Sequence, residues 1–204
     1  MDIFIVIFTC VVNLSLGAII LWHDKQSGFA RAFAAMSLAI CIWIISNYLT
    51  GAGMSQLFYN DIANKTAYVS GYSIVLCGLI FTYLFPIKRT VSRLEVGIVN
   101  VFSLLVLILS CTSLVAGTVI EKGGQLTFTA GPLLVLYIIG YVGTLGLIAR
   151  NSLRGTARWD KKSSTQARLV LAAFCISALI GIILNAVIPL LSDDWSSTTS
   201  WVMP

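Results

Sequence analysis

Six side chains, Asn47, Tyr48, Tyr68, Tyr72, Tyr137 and Asn185, form the one set in this sequence whose types and placement suit recognition of a small molecule. Amides and phenols donate and accept hydrogen bonds without carrying charge at neutral pH, and aromatic rings bury apolar area. Tyr68 and Tyr72 stand four residues apart, which puts them on one face of a helix. Such a set can orient a ligand but not convert it. The groups that bond-making needs are missing. The single histidine, His23, supplies neither paired haem ligands nor a zinc cluster. No lysine lies deep inside an apolar stretch to form a retinal-type Schiff base, and the acid Glu95 stands at the edge of one, so no proton relay is marked. With no nucleophile–base pair and no Gly-rich phosphate loop, the sequence reads as non-enzymatic, with no catalytic residue, cofactor or metal.

The elements that hold these side chains are built for lipid. Six apolar stretches, roughly 3–22, 29–52, 62–85, 94–117, 131–150 and 167–191, each approach the ~20 residues that cross a bilayer core. The expected fold is an all-α integral membrane bundle of six transmembrane helices, a single domain over 1–204. Eleven of the thirteen Lys and Arg lie in three short connections: Lys25 and Arg31; Lys88, Arg89 and Arg93; and six residues between 150 and 168. The positive-inside bias puts those connections in the cytoplasm. The acids Asp61, Glu121, Asp193 and Asp194, with Lys65 and Lys122, fall on the other side. The chain is thus expected in the inner (plasma) membrane as a multi-pass protein, with its amino terminus and Pro204 outside.

Composition agrees, since 58% hydrophobic and 10% charged residues lie outside the range of a soluble domain. A net charge of +5 would suggest nucleic acid in a soluble protein, but here the charges stand where anionic lipids attract them. The lipid bilayer is therefore the expected partner and nucleic acid is not. The five cysteines all fall within spans, where thiols behave as small apolar groups, and no disulfide framework is indicated. The start Met-Asp-Ile-Phe lacks a basic n-region, so the first span reads as a retained helix. Asn64-Lys65-Thr66 matches a glycosylation acceptor and reads as a chance match. From Thr118 to Ala130, two β-prone arms flank Gly123-Gly124, predicting a small extracellular β-hairpin between helices four and five. The loop 151–166 reads as a connector, with Trp159 at headgroup level.

All six candidate side chains fall in the outer halves of their spans. If those faces converge, they line a cavity open to the outside or to the outer leaflet. The other reading makes the tyrosines an interfacial belt and the asparagines packing glue worth about 1 kcal/mol each. Asn47 and Asn185 favour the cavity, being too deep for the headgroups. Asn13 and Asn100 must find partners that lipid does not offer, so helix packing is their expected task. Gly140, Gly143, Gly146 and Gly181 permit close backbone approach, and Pro189 bends the end of the sixth span.

Several segments resemble the amino-terminal seven-helix sensor region of bacterial histidine kinases: Asn13-Leu-Ser-Leu-Gly-Ala-Ile-Ile-Leu21, the basic turn leading to Phe33, Trp43, and Tyr68 followed by Gly71. The second half is similar in Gly131-Pro-Leu-Leu-Val-Leu-Tyr137, Gln166-Ala-Arg168, and Gly181, Asn185 and Pro189-Leu-Leu191. The resemblance covers about residues 5–191. It implies a sensory input module, most often in a homodimer, followed by a seventh helix and a cytoplasmic kinase or similar output domain. Residues 192–204 would then be an outer tail or the start of that helix, and the natural polypeptide is expected to continue beyond them. The function expected is a membrane receptor module that binds a small apolar or amphiphilic ligand in its outer half and signals by helix movement. Two alternatives stay open: a non-catalytic structural subunit of a larger membrane complex, and a small transporter.

Overall fold

The computed structural model describes residues 3–51, 57–84, 93–122, 125–155 and 161–187. Helix α1 covers Ile3–His23, α2 Gly28–Gly51, α3 Leu57–Leu84 and α4 Arg93–Ser110. The single turn α5 covers Ser113–Ala116, α6 covers Leu134–Gly155, and α7 covers Lys161–Ile182 before a π-helical turn at Ile183–Val187. Strands β1 (Val119–Lys122) and β2 (Gln125–Phe128) pair antiparallel, with Val119 opposite Phe128 and Lys122 opposite Gln125. The Gly123-Gly124 turn expected between them lies outside the described residues, as do Trp159, Pro189 and the segment 192–204.

Long apolar helices satisfy every interior backbone group within one segment, which is what lipid demands. Among the described residues, five helices are long and apolar enough to cross a membrane, not the six expected. They are α1, α2, α3, α4 and α6. The described apolar part of α7 is Ala172–Ile182, and Lys161, Lys162 and Arg168 lie in its first turns. The fourth span also stops early, at Ser110 rather than 117. Thr112 explains the break: its hydroxyl bonds Leu109 O at 2.6 Å and accepts from Leu114 N at 3.3 Å, capping α5 as a new start.

Helices α3 and α6 form the centre. Helix α3 packs against α2, α4 and α6, while α6 also meets α4 and α7; α1 packs on α2 at the edge. The buried core runs along this seam through Tyr72, Val75 and Leu79 of α3, Val106 of α4, and Tyr137 and Ile148 of α6. Tyr72 Oη donates to Ser103 Oγ on α4 at 3.3 Å and lies 3.4 Å from Thr144 Oγ1 on α6, joining three helices in mid-bundle. At Gly140 a Cβ would lie 3.0 Å from the Phe102 ring, so the missing side chain lets α4 and α6 approach. Between α1 and α2, Cys10 and Cys41 each direct a thiol at the other's carbonyl, at 3.9 and 3.5 Å.

The two ends of the bundle differ. At the basic-loop end, Arg150 on α6 pairs with Glu95 in the first turn of α4, where the helix dipole favours a carboxylate. Tyr83 also donates to Glu95, at 3.4 Å, and Asn151 Nδ2 donates to Thr82 Oγ1 at 3.3 Å. At the other end, the segment 111–133 folds back on itself. Leu133 N bonds Leu114 O at 2.7 Å, and Thr118 and Thr129 extend the strand ladder through Thr129 N to Thr118 O at 3.1 Å. Gly117 has φ 67°, and a Cβ there would stand 1.6 Å from Thr129 O, so only glycine fits.

Two glycine replacements separate these demands. Gly117→Ala is expected to cost about 1–3 kcal/mol or more through backbone strain and the clash. Gly143→Ala, whose Cβ meets nothing within 4 Å, is expected to be near neutral. Reversible unfolding in mixed micelles checks the pair, and equal losses would contradict the assignment.

Candidate functional site

A cavity of about 260 Å³ lies between α2, α3, α6 and α7. Helix α2 contributes Ile40, Trp43 and Asn47, spaced three and four residues apart and so on one face. Helix α3 contributes Asn64, Ala67, Tyr68, Gly71 and Ile74 with the same periodicity. Tyr137 and Tyr141 come from α6, and α7 closes the ring through Phe174, Ser177, Ala178 and Gly181, with Ala186 of the π-helical turn. Among the described residues, no Asp, Glu, Lys, Arg or His lines the space.

Its wall is set by a few contacts. Tyr137 Oη donates to Tyr68 O across the α3–α6 seam at 3.1 Å, and the two rings meet edge to face, 5.2 Å apart at 82°. A Cβ on Gly71 would lie 3.3 Å from Tyr137 Oη and 3.5 Å from the Trp43 indole, so glycine leaves that stretch of wall open. Asn47 Nδ2 bonds Trp43 O of its own helix at 2.8 Å. Asn64 Nδ2 reaches Ala116 O at 2.8 Å and ties α5 to α3. Its buried amide leaves no place for a glycan. At the inner end the Phe174 ring covers Gly78, where a Cβ would come within 2.8 Å of it.

Of the six side chains singled out in the sequence, the fold brings Asn47, Tyr68 and Tyr137 together around this cavity. Tyr72, expected on the same face as Tyr68, is fully buried against α4 and α6 instead. Four residues advance a helix by about 40° beyond a full turn, enough for the two rings to enter different grooves. Tyr48 packs against the small α1–α2 cluster of Val6, Cys10 and Cys41. Asn185 lies in the π-helical turn next to lining residue Ala186, and its side chain is outside the described residues. Asn13 and Asn47 are not glue between spans: both bond the carbonyl four residues back on their own helices. Asn100 stands exposed on the outward face of α4.

Trp43, Asn64, Tyr141 and Phe174 line the cavity but were not among the expected site residues. Trp43 precedes Asn47 by one turn, so it was within reach of the same periodicity argument. Asn64 was hidden by its glycosylation-like triplet. Nothing about Phe174 distinguishes it from other apolar residues of its span.

The family model for the N-terminal 7TM region of histidine kinase matches residues 5–202. The chain belongs to that family, and is thereby a multi-pass membrane protein and a sensor input module for signal transduction. That region is the sensory part of such kinases, which agrees with a non-catalytic role. No curated protein and no solved structure matches the chain.

The two lining asparagines should respond differently to replacement. Asn64→Leu removes a buried tie and strands Ala116 O, an expected loss of about 1–3 kcal/mol. Asn47→Leu breaks only a bond within one helix, and an unfolding free energy within about 1 kcal/mol of the native value is expected. A larger loss for Asn47→Leu in the same micelles would reverse this reading of the wall.

Proposed function

We propose that the chain is a receptor module that binds a small apolar or amphiphilic signal in the cavity between α2, α3, α6 and α7 and passes it on by helix displacement. One observation carries this reading: the cavity wall is built on α3 and α6, the same two helices whose opposite ends hold the Thr82–Asn151 contact and the Tyr83–Glu95–Arg150 cluster. A ligand that prefers one separation of Tyr68 and Tyr137 shifts the population by no more than its affinity difference between states. Because the helices are packed rods, that shift reaches the basic-loop end. Asn47, Tyr68 and Tyr137 are the ligand contacts of this proposal, with Asn185 beside them. Tyr48 and Tyr72 act as packing residues.

The basic loops are cytoplasmic in this reading, the hairpin end and amino terminus are outside, and the membrane is the inner (plasma) membrane. Helix α7, with the residues that follow it, makes the sixth crossing. A seventh helix and an output domain carry the signal onward. A specific observation supports a partner as well. Asn100 makes no side-chain hydrogen bond among the described residues, although it stands near the middle of a lipid-facing helix. An amide there calls for a polar group on another chain, in a homodimer or a larger membrane complex.

Spin labels at Gln26→Cys and Ala149→Cys, in a chain whose five cysteines are replaced by alanine, test the transmission. Filling the cavity with Ala178→Phe is expected to change the distance between the labels by about 1–2 Å or more. An unchanged distance distribution would count against displacement. Gln26→Cys should also resist an impermeant maleimide added to intact cells, and ready labelling would invert the topology.

A further inference from the structure

The cavity wall is graded along its length. Asn47 and Asn64 stand at the hairpin end, Trp43 follows one turn further in, and Ile40, Ile74 and Phe174 form the inner end. On α2 the step from Asn47 to Ile40 is two turns, about 10 Å of rise. Polar groups at the hairpin end keep bonding capacity. Asn47 and Asn64 each make one side-chain hydrogen bond among the described residues, through Nδ2, and the Trp43 indole N–H makes none. A charged occupant would find no counter-ion in this wall, and an ion left unpaired at such depth is strongly disfavoured.

The cavity is also open on one side. Among the described residues the pairs α2–α3, α3–α6 and α6–α7 are closely packed and close three sides, and α2 with α7 is not one of the closely packed pairs. Ser177, on the α7 rim, is exposed. The hairpin end, by contrast, is held by the Asn64 bond to Ala116. A volume of about 260 Å³ lies below the ~300–1,000 Å³ of pockets for drug-sized molecules, which leaves room for one chain and a compact head.

Resting on the reading that this cavity holds the signal, we propose that its occupant is an uncharged single-chain amphiphile. It is drawn from the bilayer between α2 and α7, past the exposed Ser177. Its hydrogen-bonding head lies at Asn47 and Asn64, and its chain runs inward to Phe174. A hydroxyl suits the head, since it both donates to the Asn oxygens and accepts from the indole N–H.

Quenching of Trp43 by brominated probes tests this in the full chain, in phosphatidylcholine liposomes, with Trp22, Trp159, Trp195 and Trp201 replaced by Phe. The probes are ω-bromodecanol, ω-bromodecane and ω-bromodecyltrimethylammonium. Saturable quenching is expected with the alcohol alone, following its mole fraction in the bilayer when the lipid amount is varied. Asn47→Leu should weaken it by up to about tenfold, and Ala178→Phe should abolish saturation. Equal saturation by the alkane or the cation would overturn the head assignment while leaving a ligand cavity in place. Saturation that follows aqueous concentration would overturn the bilayer route alone. Linear quenching by all three probes would overturn both the occupant and the cavity reading, and that comparison needs no change to the cavity wall.

Discussion

Lipid offers no hydrogen-bond partner, and that constraint decides where each polar side chain of this bundle can point. The chain meets it in two ways. Asn13, Asn47, Thr50, Ser70, Ser73 and Ser152 turn back onto carbonyls of their own helices. Other side chains cross between elements, and apart from the Cys10–Cys41 contacts the bonds described between helices involve α3 or α6. Helix α3 is tied at four levels: Asn64 to α5, the Tyr68 carbonyl to α6, Tyr72 to α4 and α6, and the Thr82–Tyr83 pair to α6 and α4. Bonds of this kind in membranes average about 0.6 kcal/mol and seldom exceed ~1.7. None dominates stability, but four at successive depths fix the register of α3 against its neighbours.

The cavity follows from that uneven stapling. Helices α4 and α6 are held to α3 by side chains, and α5 by Asn64, whereas α2 meets α3 through packing and its polar groups bond internally. Helix α7 packs on α6, and among the described residues it is not closely packed on α2. Glycine sharpens the result. Gly71 keeps the wall thin where Tyr137 and Trp43 converge, and Gly78 admits the Phe174 ring as the inner stop. An uncharged space bounded by the two central helices can be filled without an ion pair, and filling it works directly on the seam that ends at the Glu95–Arg150 cluster.

Much of this fold was legible in the sequence. Apolar runs of bilayer length located the spans, and the loop glycines and β-prone arms fell where strands β1 and β2 pair. Of the sixth span expected over 167–191, the described side chains begin at Ala172 and the described backbone ends at Val187, so five crossings and not six are supported among the described residues. The site was half legible. Depth alone selected Asn47, Tyr68 and Tyr137, which line the cavity, but it selected Tyr48 and Tyr72 on the same grounds. A helix that is apolar all round gives no moment from which to choose between its faces. What separated Tyr68 from Tyr72 was the position of α4 and α6, which is tertiary information. Gly71 and Trp43 were visible only as part of a family resemblance, and their role at the wall emerged from geometry.

The central claim is that the space between α2, α3, α6 and α7 is a ligand site for a neutral molecule. Native mass spectrometry of the chain, released gently from the membrane in which it was made, tests it most directly. A stoichiometric, uncharged single-chain amphiphile retained by the protein, and absent from the Ala178→Phe variant, is the predicted result. A protein that carries no such adduct, or carries the same adducts with the cavity filled, would contradict it.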